Sequence, residues 1–528
     1  MFRTSLFVAV VIALLAAGVR STITASAQGG PPDKCPKGLV WREAFPGDHV
    51  CVTPETRAKA RTDNERSGTM PLATARTPSE PSGPRISSPS PGVVGIALGS
   101  ATRMGAVTVQ HDGTILVAAT TMVTPRRGNL IRLSLTANGT MAAHAMTQIA
   151  DVDLNNVGDV TITSEGGIVV VGDAYAPGIV NSQYGGGALG FLVARFLPNG
   201  GPDTSFGSSG WTLTDVGQRN NHNIPHGVAV QRDGRILATG NSLVPYWLIM
   251  TAYSFATVRY NVDGSLDNTF GERGRVITRM GTSREDDAHA VLVLPDGRIV
   301  VVGTADSTQN LHCKGLDCLQ AGRSDFSLAR YLPDGQLDKS FGRNGRTGPF
   351  GLGWATTAYT AALDSHDRVL VGGFVTLSEE RSNDRVHVTR APVIVRYNTD
   401  GSLDQSFGNA GVVLLEAGGT AITTVGVQPD AKVVAFGLLR TGKCGSCLVA
   451  IRLNADGGSD KGFADDGVFA LPFPQAPPVG RGIAVQEDGK LVLAGEQHLQ
   501  RGQGSAITLV RLIPDGTLDT TFGAAGMR

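Results

Sequence analysis

The chain has 528 residues with 46 basic and 46 acidic side chains. That balance gives no electrostatic case for nucleic acid or an anionic membrane surface. With 69 glycines, 41 % hydrophobic residues and 17 % charged ones, the composition excludes a disordered chain and suits a globular protein of many short strands and turns.

Residues 1–27 read as a secretory signal. Arg3 supplies the positive start, residues 6–18 an apolar stretch too short to span a bilayer comfortably, and Ala25-Ser26-Ala27 a small-residue cleavage site. No lipobox cysteine follows, and no later apolar run approaches a membrane span. The expected product is a free secreted or periplasmic protein, a monomer without a membrane anchor. The six cysteines fall into close pairs, Cys35 with Cys51, Cys313 with Cys318 and Cys444 with Cys447, and are expected to form local disulfides. Cys444-Gly445-Ser446-Cys447 has the spacing of a redox dithiol, but no βαβ pattern of the thioredoxin kind surrounds it.

Residues 28–60 form a small head. A Cys35–Cys51 staple would close a loop too short to bury a core, a contribution of roughly 3 kcal/mol. Its Trp41-Arg42-Glu43-Ala44 and Pro46-Gly47-Asp48-His49-Val50-Cys51-Val52 segments resemble a short stretch found in various exported bacterial proteins, a resemblance that implies no activity. Residues 61–91 are rich in Pro, Ser and Thr and read as an extended linker.

From residue 92 onward two phrases alternate. One is an apolar strand, an Asp-Gly turn and a second apolar strand, as at 228–240, a strong hairpin signal. The other is seen at 258–271, Val-Arg-Tyr-Asn-Val-Asp-Gly-Ser-Leu-Asp-Asn-Thr-Phe-Gly. It recurs at 329–342, 395–408, 451–464 and 510–523, with a worn copy at 194–207. The turn positions Asp112, Glu165, Asp233, Asp296, His366, Asp430 and Asp488 stand 53 to 70 residues apart, and the basic residues Arg132, Arg195, Arg259, Arg330, Arg396, Arg452 and Arg511 keep step with them. Seven units of four strands each predict an all-β, seven-bladed β-propeller over residues 92–528. The last unit lacks its fourth strand and the first is preceded by an orphan strand, 93–98. Pairing of that strand with the last blade would close the ring.

These phrases resemble the delta-60 repeat, a unit of uncharacterised, mostly exported bacterial proteins. The resemblance covers nearly all of residues 92–528, with units one and two departing most: 133–139 lacks the Leu-Asp and Phe-Gly parts. It implies a propeller-like fold and no established reaction.

The recurring aspartates Asp267, Asp338, Asp404, Asp460 and Asp519 are expected to cap the turn that follows them. Calcium is the competing reading of Asn261-x-Asp263-Gly264-x-x-Asp267, disfavoured because Arg259 stands where such a loop needs another acid. No cofactor or structural metal is therefore expected. The recurring phenylalanines, Phe206 to Phe522, are expected to pack between blades. The recurring arginines are expected to ion-pair with the turn aspartate of their own unit.

Function has to come from positions that break the repeat. Seven residues before each turn position, where the first strand begins to line the channel, stand Gly105, Gly158, His226, His289, Tyr359, Thr423 and Arg481. With neighbouring His222, Asp286 and Asp287, the large polar members would ring one mouth of the channel, on the face that also carries the long second-to-third-strand connections 306–324 and 376–390. Expected is a non-catalytic binding or scaffolding protein that takes a protein or glycan partner there. The alternative is a propeller enzyme, a hydrolase or lyase acting on glycans. Against it, Ser-x-Asp-x-Gly-x-x-Trp boxes and a Gly-x-Ser-x-Gly elbow with a usable triad are both missing. No catalytic residue is therefore assigned. Two acids, or a tyrosine and an acid, at catalytic spacing in the mouth would favour the enzyme.

Overall fold

The computed structural model describes residues 40–41, 51–52, 85–90, 92–97, 102–123, 127–136, 138–147, 153–180, 187–217, 222–247, 250–281, 285–306, 324–348, 355–382, 385–415, 421–441, 444–472, 479–498 and 505–523. The chain divides into two compact units, Met1–Glu80 and Pro81–Arg528. In the first, Val40–Trp41 and Cys51–Val52 pair as a minimal antiparallel hairpin with Trp41 opposite Cys51. The expected signal peptide, Cys35, Cys313 and Cys318 lie outside the described residues, as do the side chains of Cys51 and Cys444. Cys447 is fully buried.

The second unit is built of antiparallel strands, with no helix among the described residues. Seven blades follow one another along the chain, each running from its first strand outward, and a single β-bridge, Gly128 to Leu154, joins the sheets of blades one and two into one. The innermost strands are Thr102–Val109, Asp153–Ile162, Asn223–Val230, Asp287–Val293, Ala355–Leu363, Ala421–Val427 and Val479–Val485. Each touches the next, and the seventh touches the first, so the ring is closed. In blade four the outer strand shrinks to the bridge Ala329–Arg346 and the bond from Thr347 N to Leu328 O, 2.8 Å.

Closure is made by Val93–Ala97, which pairs with Ser505–Leu512 in the seventh sheet, Val93 opposite Val510. Residues 85–90, which composition placed in the linker, add a fifth, outermost strand to that sheet. Pro89 is tolerated there because an edge strand needs no donor on its outer side.

The alternating phrases become a repeated bolt between blades. In blade three, Arg259 Nε donates to Asp267 Oδ2 at 2.8 Å, Arg259 Nη1 donates to Pro333 O of the next blade at 2.5 Å, and the guanidinium sits 4.5 Å from the centre of the buried Phe270 ring. The N–H of Gly271 then donates to Asp334 O in the next blade at 2.7 Å. Gly271 has a φ of 53°, and a Cβ there would lie 2.3 Å from Arg275 O, which is why the phrase ends in glycine. The Arg–Asp–Phe set repeats at 330/338/341, 396/404/407, 452/460/463 and 511/519/522. At the end of the chain, Gly523 N donates to Asn138 O of blade one at 2.8 Å, and the same bolt fastens the ring shut.

The aspartates do cap: Asp267 Oδ1 accepts Thr269 N at 3.0 Å. The arginine's partner corrects the expectation. It is this aspartate of the Phe-Gly segment, whereas the turn residue Asp233 takes Arg235 of its own hairpin at 2.7 Å. The Phe-Gly segment folds back on the third strand, Asp267 N donating to Arg259 O at 3.0 Å, and Arg235 reaches the same carboxylate at 3.2 Å.

The core is correspondingly divided into seven apolar clusters, each shared by two adjacent blades. Phe206, Phe270, Phe341, Phe407, Phe463 and Phe522 each sit in one of six of them. The seventh, between blades one and two, has no such residue because unit one lacks the phrase, and Phe196 and Trp211 pack there instead.

Candidate functional site

Every innermost strand contains a β-bulge at the same place. Its pairing register skips one residue, and the seven skipped residues are Gly105, Gly158, His226, His289, Tyr359, Thr423 and Arg481. These are the seven positions that counting back from the turns picks out. A bulge frees one residue from the ladder and re-aims its side chain, so the fold displays one variable residue per blade on a fixed backbone.

In blades one and two the display is bare of necessity. A Cβ on Gly105 would lie 2.4 Å from Val157 Cγ1, and one on Gly158 would lie 2.5 Å from Pro225 O. In blades three to five it is full. The rings of His226 and His289 are 4.9 Å apart between centroids, those of His289 and Tyr359 5.7 Å, and those of Tyr359 and Phe374 6.0 Å. The Arg390 guanidinium lies 4.6 Å from the Phe374 ring. An arc of imidazole, imidazole, phenol, phenyl and guanidinium thus crosses three blades.

Asp287, two residues before His289, is the centre of the arc. Its Oδ1 lies 3.2 Å from His226 Nε2 and accepts Asn241 Nδ2 at 2.9 Å, and its Oδ2 lies 3.4 Å from His289 Nε2. Burial works against its charge, but the His289 and His226 imidazoles and the Asn241 amide outweigh it and hold the carboxyl at about 2. Burial takes His289 the other way, down to about 4; the opposing pull of Asp287 is too small to restore it, and His226 pushes it further down. For His226 burial is outweighed by its polar contact with Asp287 and by the Asp287 and Asp173 charges, so its pKa is raised. At neutral pH the site holds an ionised Asp287 and a neutral His289, beside a His226 whose pKa is raised.

Other expected members are placed elsewhere. Asp286 is buried and its carboxylate accepts the N–H groups of Met280 at 2.7 Å and Gly281 at 3.2 Å, which pins the segment before the strand. Arg481, in blade seven, faces Glu496 at 3.5 Å and is not in the arc. His222 lies before the bulge, its carbonyl bonded to Leu243 N at 3.2 Å. Thr423 donates to Phe436 O of its own blade at 3.1 Å. Residues 376–382 and 385–390 pair as a two-stranded arm, Thr376 opposite Arg390 and Ser382 opposite Arg385, with one register shift after Thr376. Residues 307–323 of the other long connection lie outside the described residues.

Three further polar groups escape the repeat count. Asp173, Asn241 and Glu496 occupy one equivalent position on the second strands, each directly after a glycine in an otherwise apolar run, and all are buried. That charged or amide residue after Gly172, Gly240 and Gly495 is the signal that would have found them. Burial raises the pKa of Asp173. Asp159, next to the Gly158 bulge, accepts Val160 N at 2.8 Å and Val228 N at 3.1 Å, bolting blade two to blade three, and burial pushes it up to about 7. A cavity of about 460 Å³ lies at the opposite, turn end of blades two and three, lined by Glu165, Arg195, Arg232 and Asp233, remote from the arc.

Residues 231–270, 317–341, 387–407 and 486–522 match the model of a family described as "Domain of unknown function (DUF5122) beta-propeller". No curated protein matches the chain. Among solved structures the chain is similar to a streptogramin B lyase, at 11 % identity over 79 % of this chain and 96 % of that one, TM-score 0.42. It is also similar to the polysaccharide lyase Uly1, at 11 % identity over 78 % and 90 %, TM-score 0.43. A protein of unknown function from Dyadobacter fermentans gives 11 % identity over 80 % and 100 %, TM-score 0.39.

Proposed function

We propose that this chain is an exported, delta-60-type propeller, stapled by its local disulfides, that binds a protein or glycan partner on the face formed by blades three to five. The observation that carries the reading is the bulge series. One backbone feature is repeated seven times, and only its side chain varies. Beside it the blade-five arm exposes Leu377 and Val388, and the bulge exposes Tyr359. Exposed apolar and aromatic groups rimmed by charge are the composition of recognition surfaces. The test is retention of envelope proteins and glycans by the immobilised full chain and by a His226→Ala/His289→Ala variant. The reading expects partners kept by the first and lost by the second. Equal retention by both removes this face from consideration.

A second reading, a hydrolase or lyase acting on glycans, draws on the same arc. An ionised Asp287, a neutral His289 and the Tyr359 hydroxyl make an acid–base set. It expects release of oligosaccharide or unsaturated ends from a polysaccharide panel, abolished by His289→Ala and by Tyr359→Phe. No release from any polysaccharide removes it.

A further inference from the structure

We propose that His226, Asp287 and His289 form a site for a divalent transition-metal ion, zinc foremost, with one coordination position open toward the partner. The inference rests on the reading that this mouth is the working face, and adds the ion through which it would grip.

The argument is geometric. Zinc holds nitrogen and oxygen at about 2.0–2.2 Å, and a tetrahedron with such bonds sets neighbouring donors about 3.3 Å apart. His226 Nε2 stands 3.2 Å from Asp287 Oδ1 and His289 Nε2 stands 3.4 Å from Asp287 Oδ2. One donor atom from each residue fits within a span of 4.8 Å, so an ion has to draw the widest pair together by up to about 1.5 Å, a movement of the ring torsions. The second observation concerns direction. His226 Nε2 is buried and turned toward Asp287, 3.2 Å from Oδ1, and His289 Nε2 stands beside the other oxygen of the same carboxylate. One carboxylate thus gathers both imidazole nitrogens.

The surroundings fit. Asn241 Nδ2 fixes the carboxylate from behind through its 2.9 Å bond to Oδ1, the kind of outer contact that orients a ligand. Two imidazoles and a carboxylate select zinc and its first-row neighbours over calcium or magnesium, which prefer oxygen alone. Three protein donors leave a fourth position. Tyr359, whose ring lies 5.7 Å from that of His289, flanks it. A hydroxyl or carboxylate oxygen of the partner is the group that would enter.

The test uses the full chain, stripped with chelator and titrated with Zn²⁺ alone, with metal content measured after gel filtration and Co²⁺ absorption as a second readout. The expected result is one ion per chain. Affinity should fall more than about 100-fold in His226→Ala and in His289→Ala, about 10-fold in Asn241→Ala, and not at all in Tyr359→Phe. Asp287→Asn, nearly the same shape, should also lose the ion and guards against a variant that fails to fold. The proposal is overturned if the wild type retains no ion, or if folded His226→Ala/His289→Ala retains zinc undiminished, which would put the metal on cysteines. Partner capture by chelated wild type separates the two readings. Capture that persists where zinc does not bind removes the ion alone, and zinc held without any capture keeps the ion and removes the partner.

Discussion

The outer layer and the mouth of the ring use repetition in opposite ways. On the outside, six blades place the same arginine, aspartate and phenylalanine in the same contacts, with Nε–Oδ2 distances of 2.6 to 2.9 Å. At the mouth the seven bulges share a backbone and carry Gly, Gly, His, His, Tyr, Thr and Arg. Side chains that repeat hold the ring, and the side chains that differ at a repeated backbone site are free to recognise something. Blade one sharpens the contrast from the other side. Arg132 is buried and donates to Gly200 O in blade two, but no aspartate among the described residues pairs with it, and burial lowers its pKa.

The largest effect is expected from breaking an outer bolt. Asp404→Ala leaves Arg396 buried without its carboxylate and should cost on the order of 3–5 kcal/mol in denaturant unfolding. Phe341→Ala, which opens a cavity between blades four and five, should cost about 3–5 kcal/mol by the same measurement. Arg132→Met, at the bolt that lacks its acid, should cost less than about 1 kcal/mol, and a loss as large as that of Arg396→Met would dissolve the distinction between the blades.

The bolts also set a pH window. Asp338 and Asp404 are held at about 2 against an ordinary 3.8. Burial opposes this, but Ser340 and Ser406 hydrogen bonds and the neighbouring arginines prevail. Depressed carboxyls contribute stability that is complete above about 4 and is lost as pH falls toward about 2. Acid unfolding monitored by circular dichroism should therefore steepen across that interval, and Asp404→Asn should flatten it. Asp159 has the reverse sign. Its carboxyl is raised to about 7, so its contribution declines as pH rises from about 4 to 7, and Asp159→Asn should lessen that decline.

The ring, its seven blades and its closing strand were legible in the sequence because the fold repeats. Asp-Gly turns and Phe-Gly segments are local signals, and their recurrence from unit to unit averages out the noise in each. The bulge series was legible for the same reason, as a fixed offset from the turn. Legibility failed where a contact depends on geometry rather than count. Asp286 and Asp287 are adjacent in sequence, but alternation along a strand sends one to cap Met280 and Gly281 and the other to the two histidines. Asp173, Asn241 and Glu496 went unnoticed because they belong to the second strand, whose apolar character hid them. Arg481 satisfies the count, but a whole blade, the sixth, stands between it and Tyr359.

The smallest effect on stability is expected at the mouth, and there the account meets its most direct measurement. Thermal unfolding and partner capture are compared in one preparation for wild type, Asp404→Ala and His226→Ala/His289→Ala. The account expects the aspartate variant to melt far lower. It expects the histidine variant to melt within a few degrees of wild type, a change below about 1 kcal/mol, while losing capture. A histidine variant that melts as low as the aspartate variant, or that captures every partner of the wild type, would contradict it.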